Sequence, residues 1–168
     1  MQGVFVTAAD CLSTYWVWLT SVVWCLLWTV SVVVGIDAEL DESSVDDVVK
    51  YEETIVSQSR ALLPASSQDQ TQHKKLCEHL KPLGSETRLV VMQRANSIAL
   101  CFICMTLAAL MGLRDQWRRG QLKRTVESVF TFLAGIIRKV RVKRLCWSLN
   151  EYERCLEFFS SVTGQQTV

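Results

Sequence analysis

The 168 residues suffice for one compact unit, 49% of them are hydrophobic, near the globular norm, and the net charge is only +1. That small net charge conceals a polarised chain: residues 1–36 carry Asp10 alone, 37–94 carry 11 acidic and 7 basic groups, 95–113 carry none, and 114–168 carry 11 basic and 5 acidic groups. Seven cysteines without regular spacing exclude a disulfide framework.

Residues 1–10 form a short stub without the basic start of a cleaved secretory signal. Cys11 to Ile36 follows, 26 residues with no charged side chain. As a helix it extends about 39 Å, more than the ~30 Å hydrocarbon core of a bilayer. It therefore predicts a first transmembrane helix, retained as an anchor. Trp16, Thr20, Trp24 and Trp28 recur every four residues and share one helix face. Ser31 and Gly35 form a small-xxx-small pair that lets a second helix approach. Trp24, Trp28, Ser31 and Gly35 are thus candidate helix-packing residues.

Residues 37–94 predict an acidic helical loop. Within it, apolar spacing predicts an amphipathic helix from about Ser44 to Leu62, stopped by Pro64, with Glu52 interrupting the apolar face. A polar linker, 65–72, precedes a short helix over His73–Leu80. His73, Cys77 and His79 are metal-ligand types. On a helix, however, only His73 and Cys77 share a face, and no conventional fourth ligand follows, so no metal and no cofactor are expected.

Ala95 to Leu113 is a second uncharged run of 19 residues. At about 28 Å it is just long enough to cross as a second transmembrane helix, with Ala108 and Gly112 as its small-residue pair. Cys101 and Cys104 make a Cys-x-x-Cys in that run. Surrounded by apolar residues, a thiol is held neutral, which argues against redox catalysis.

Arg114, Arg118, Arg119, Lys123 and Arg124 follow at once, with Trp117 as an interface anchor. They place both termini on the cytoplasmic or matrix side of an endomembrane or a mitochondrial inner membrane. Residues 121–148 then predict a basic amphipathic helix. Val126, Val129, Phe130, Leu133, Ile136 and Ile137 form its apolar face, and Arg138, Lys139, Arg141, Lys143 and Arg144 its cations. This is the candidate surface for anionic lipid headgroups or a partner protein. The stretch from Val140 to Leu145 also alternates like a strand, but no pairing strand is evident. Asn150 caps a short helix over 151–160.

The sequence thus predicts an all-α membrane protein: a two-helix transmembrane hairpin with amphipathic helices on both sides. The expected function is non-enzymatic, a structural or adaptor subunit among other membrane protein subunits. Membrane remodelling through the basic helix is the alternative, and thiol redox chemistry a remoter one. No Asp, Glu, Lys, Arg or His lies in either run, so no ion pathway is expected. Basic and aromatic residues are not interleaved, so no nucleic acid is expected.

Overall fold

A computed structural model describes residues 31–41, 45–94, 97–135 and 139–164. Its first element is strand β1, Val32–Leu40. Val32, Val34, Ile36, Ala38 and Leu40 are buried, while Val33 and Asp37 are exposed and Gly35 and Glu39 half-buried. This period of two is what a strand produces, and β-branched Val and Ile suit it. The charges of Asp37 and Glu39 fall on the alternate face. An uncharged window ends at Asp37, but the strand runs through it to Leu40. The expected first transmembrane helix is therefore wrong over Ser31–Ile36. Its remainder, Cys11–Val30, with Trp24 and Trp28, lies outside the described residues.

Helix α1, Val45–Leu62, and helix α2, Gln70–Leu80, follow. The Asp69 carboxylate caps α2, accepting from the Gln72 N–H at 3.0 Å. A 3-10 turn, Lys81–Leu83, leads through Gly84 at φ 88° to strand β2, Thr87–Arg94. Glu52 is buried in the middle of α1's apolar face, and Arg94 compensates it: Arg94 Nε stands 3.4 Å from Glu52, and its Nη1 2.8 Å from Glu53.

The expected second transmembrane helix is two elements. Ile98–Cys104 is strand β3, and Leu107–Arg118 is helix α3. Thr106 marks the switch, its extended backbone and hydroxyl capping α3 through the Ala109 N–H at 3.1 Å. The 19-residue apolar run is thus a buried strand abutting the start of a core helix. Among the described residues, no helix is long and apolar enough to cross a membrane. The multi-pass membrane topology, the hairpin and the side assigned to each segment are overturned by this.

Gly120, at φ 71°, turns α3 into helix α4, Gln121–Ala134, which Gly135 closes at φ 61°. The expected helix over 121–148 therefore stops early. Strand β4, Val142–Cys146, and helix α5, Leu149–Gly164, are the last described elements.

The four strands form one antiparallel sheet in the order β2-β3-β1-β4. β1 and β3 pair with Val34 opposite Phe102 and Ile36 opposite Leu100. Two split β-α-β units interleave, the connectivity of ferredoxin-like sheets, here with a helix pair in each crossover and α5 appended. The core lies between one sheet face and the helices, and Val34, Ile36, Ile55, Leu76, Leu100, Phe102, Leu110, Leu122 and Phe130 all belong to it.

The free backbone beside β4 is served by side chains of α4. Val142 N–H donates to Glu127 Oε1 at 2.9 Å, and Val140 N–H to Thr131 Oγ1 at 3.0 Å. β4 ends opposite Asp37. Beyond that point, Gly35 N–H donates to Glu151 Oε1 of α5 at 2.9 Å. Trp117 is no membrane anchor. Its indole N–H donates to the Leu145 carbonyl oxygen at 3.2 Å, and with Trp147 and Tyr152 it encloses the Arg114 guanidinium. The Arg114 Cζ is 4.4, 5.0 and 4.8 Å from the three ring centroids. This cation–π cluster ties α3 to the start of α5.

Burial raises the Glu151 carboxyl above its usual value, opposed by the Gly35 N–H and by Arg154. A carboxyl raised in the folded state binds its proton more tightly folded than unfolded. Its contribution to stability is greatest below the unfolded value and is lost as pH rises from about 4 through the folded value. Glu151→Gln, which keeps an acceptor for Gly35, is expected to flatten stability between mildly acidic and neutral pH. At neutral pH its urea midpoint should equal or exceed that of the parent chain.

Candidate functional site

Strand alternation that buries one sheet face exposes the other. Cross-strand partners place Arg88, Ile103 and Val33 in one row, Val91, Cys101 and Gly35 in the next, and Gln93, Ala99, Asp37 and Cys146 in a third. Glu39 and Arg144 form a fourth. Of these residues only Ile103 is buried; the others are half-buried or exposed, and Val33 is 52% exposed. The bulge at Val90 keeps β2 in step, so that Arg88 and Val91 both fall on this face.

The centre of the face is small and mostly apolar: Gly35, Ala99 and Cys101, with Val33 and Val91 beside them. Charges sit around it, Arg88 at one end and Asp37, Glu39 and Arg144 at the other. Glu39 is held below the usual carboxylate value, chiefly by its hydrogen bond from Lys143, with Arg144 adding to it. Lys143 Nζ and Arg144 Nη2 lie 3.0 and 3.1 Å from its two oxygens. An apolar centre within a rim of both charge signs is suited to contact with another macromolecule, whose side chains approach the backbone over Ala99, beside the Glu151 carboxylate that stands against Gly35.

The sequence-predicted sites fall elsewhere. Val126, Val129, Phe130 and Leu133 are buried in the core, which removes the lipid- or partner-facing role of α4's apolar face. That is the correction to membrane remodelling and to a membrane-surface function through this helix: its apolar face already has a partner, the chain's own sheet. Lys139, Arg141, Lys143 and Arg144 are exposed, the last two engaged with Glu39. Ile136, Ile137 and Arg138 lie outside the described residues. Ser31 and Gly35 stand at and in β1, so their four-residue spacing is not a helix ridge. Ala108 and Gly112 are on the exposed side of α3.

Cys101 and Cys104 point to opposite faces of β3, as residues three apart on a strand must. Cys101 is on the outer face, and Cys104 is buried with its thiol pushed up to about 11 by desolvation. The geometry rules out a dithiol pair. His73 and Cys77 do meet, 3.6 Å apart. His79 turns away: its Nδ1 is 2.7 Å from Ser128 Oγ, and its ring packs on Phe132 with centroids 5.0 Å apart. Among the described residues, no three metal-ligating groups come together.

Sequence reasoning missed the outer face because it assigned β1 and β3 to helices. The available signal was the alternation from Val32 to Leu40, with Asp37 and Glu39 in phase with Val33 and Gly35. The described residues thus form an α/β domain with a four-stranded antiparallel sheet, not the expected all-α fold. No family model matches it, and no curated protein or solved structure matches it significantly.

Proposed function

We propose that this chain is a non-enzymatic interaction module that holds a partner protein on the outer face of its sheet. One observation carries this reading. The alternate residues of β1, β2 and β3 form a continuous surface with an apolar centre, and Val33 at 52% exposure is among the most exposed large apolar side chains of the described residues. Contiguous apolar surface with a polar rim is the usual mark of a contact site. Arg88 calls for a carboxylate on the partner, and Asp37 for a cation.

A photo-activatable cross-linker at position 33 of the full chain tests this in cells. A discrete protein adduct is expected. Ala99→Arg, which fills the centre of the face without touching the core, should reduce the adduct about tenfold, equivalent to ~1.4 kcal/mol of binding. Ala108→Arg, on α3, should leave it unchanged. The proposal fails if no adduct forms, or if Ala99→Arg and Ala108→Arg behave alike.

A further inference from the structure

The outer face leaves one arrangement unused. Helix α2 carries His73 and Cys77 one turn apart. His73 Nδ1 is 2.7 Å from the Leu62 carbonyl oxygen. A carbonyl only accepts, so Nδ1 bears a proton and donates, and in the neutral ring Nε2 is the nitrogen that carries the lone pair. That nitrogen stands 3.6 Å from Cys77 Sγ, and the thiol is exposed. A nucleophile, a base and a group that orients the base are therefore within contact of one another.

The thiol also borders a groove of about 530 Å³ between α2 and the sheet edge at β2. Leu63, Leu76, Leu80, Leu83 and Leu89 supply its apolar lining, and Lys81, Ser85, Thr87 and Arg88 its polar one. Cys146 provides an internal contrast. It is exposed too, but no imidazole is hydrogen-bonded to it among the described residues.

We propose that Cys77 is a site of covalent modification by α,β-unsaturated carbonyl compounds bearing an apolar chain, with His73 as the base. The Cys77 thiol gives its proton to His73 Nε2 as Sγ attacks the β-carbon. A carbon–sulfur bond forms, the carbon–carbon double bond becomes single, and the proton returns to the α-carbon. Nothing is oxidised and no group leaves. The apolar chain occupies the leucine-lined groove.

The probes are trans-2-nonenal and acrolein, which share the reactive group and differ in the chain. The full chain is treated with a slight excess of each, and adducts at Cys77 and Cys146 are followed by peptide mass spectrometry. Cys77 should react with trans-2-nonenal at least about tenfold faster than Cys146, in line with the effect of a positioned base. It should favour trans-2-nonenal over acrolein, and Cys146 should show no such preference. His73→Gln should slow Cys77 by at least about tenfold, the low side of what a positioned base contributes, and leave Cys146 unchanged. Equal rates at the two cysteines of the unaltered chain overturn the proposal, whether or not the His73 variant folds. Equal selectivity for chain length at both sites overturns the role of the groove. An unchanged Cys77 rate in a folded His73→Gln overturns the role of the base.

Discussion

Phe130→Ala is expected to cost about 3–5 kcal/mol of folding stability, among the largest losses for a single truncation. Phe130 is wholly buried on α4. With Leu122, Val126, Leu100 and Phe102 it borders a void of only about 10 Å³. That is at the lower limit for even one water molecule, so the surroundings are already closely filled. Truncation to alanine opens a hole that facing strands held in a four-stranded ladder cannot collapse to fill. Against a typical total of 5–15 kcal/mol, such a loss shifts a urea unfolding midpoint visibly. A cost below about 1 kcal/mol would mean that this face of α4 does not pack on the sheet.

Ile36→Asp is expected to abolish cooperative unfolding at neutral pH, whereas Val33→Asp is expected to be tolerated within about 1 kcal/mol. Ile36 is 1% exposed and Val33 52%. The first substitution puts a carboxylate opposite Leu100 with no cation to meet it. Neutralising it or leaving it unpaired costs several kcal/mol in either case. The second puts a carboxylate on the outer face, where water reaches it. The pair discriminates sharply between secondary structures. Three residues apart, they share a face on a helix and oppose each other on a strand. Circular dichroism melts of both variants and the parent chain read the difference. Equal effects would mean that β1 is not a strand.

The helices on the polar side of the chain were legible because their signals are local. Pro64 follows α1, spacing of three and four marks its apolar face, and His73 and Cys77 meet across one turn of α2, as helical spacing requires. The strands were hidden by their neighbours. β1 follows directly on an uncharged run, and β3 is separated from α3 only by Met105 and Thr106. Hydropathy averaged over a membrane-spanning length therefore merges each strand with what adjoins it. A buried strand and a buried helix segment are alike in apolar content, and only period separates them. The alternation of β4 was visible over Val140–Leu145, but its partner β1 was divided between the expected first transmembrane helix and the expected acidic loop, where Asp37–Leu40 pair with β4. The paired face of α4 was hidden for the same reason: with no sheet recognised, an amphipathic basic helix had only lipid or another protein to cover it. The outer face consists of the alternate residues of β1, β2 and β3, so it could not be seen before the strands were.

Backbone NOEs in isotopically labelled protein test the central claim most directly, that Val32–Leu40 and Ile98–Cys104 are paired antiparallel strands rather than parts of membrane helices. Cross-strand contacts are expected to join Gly35 with Cys101, Ile36 with Leu100, and Asp37 with Cys146. Continuous sequential amide contacts from Ile98 through Leu113, as in one unbroken helix and with none across to β1, would contradict it.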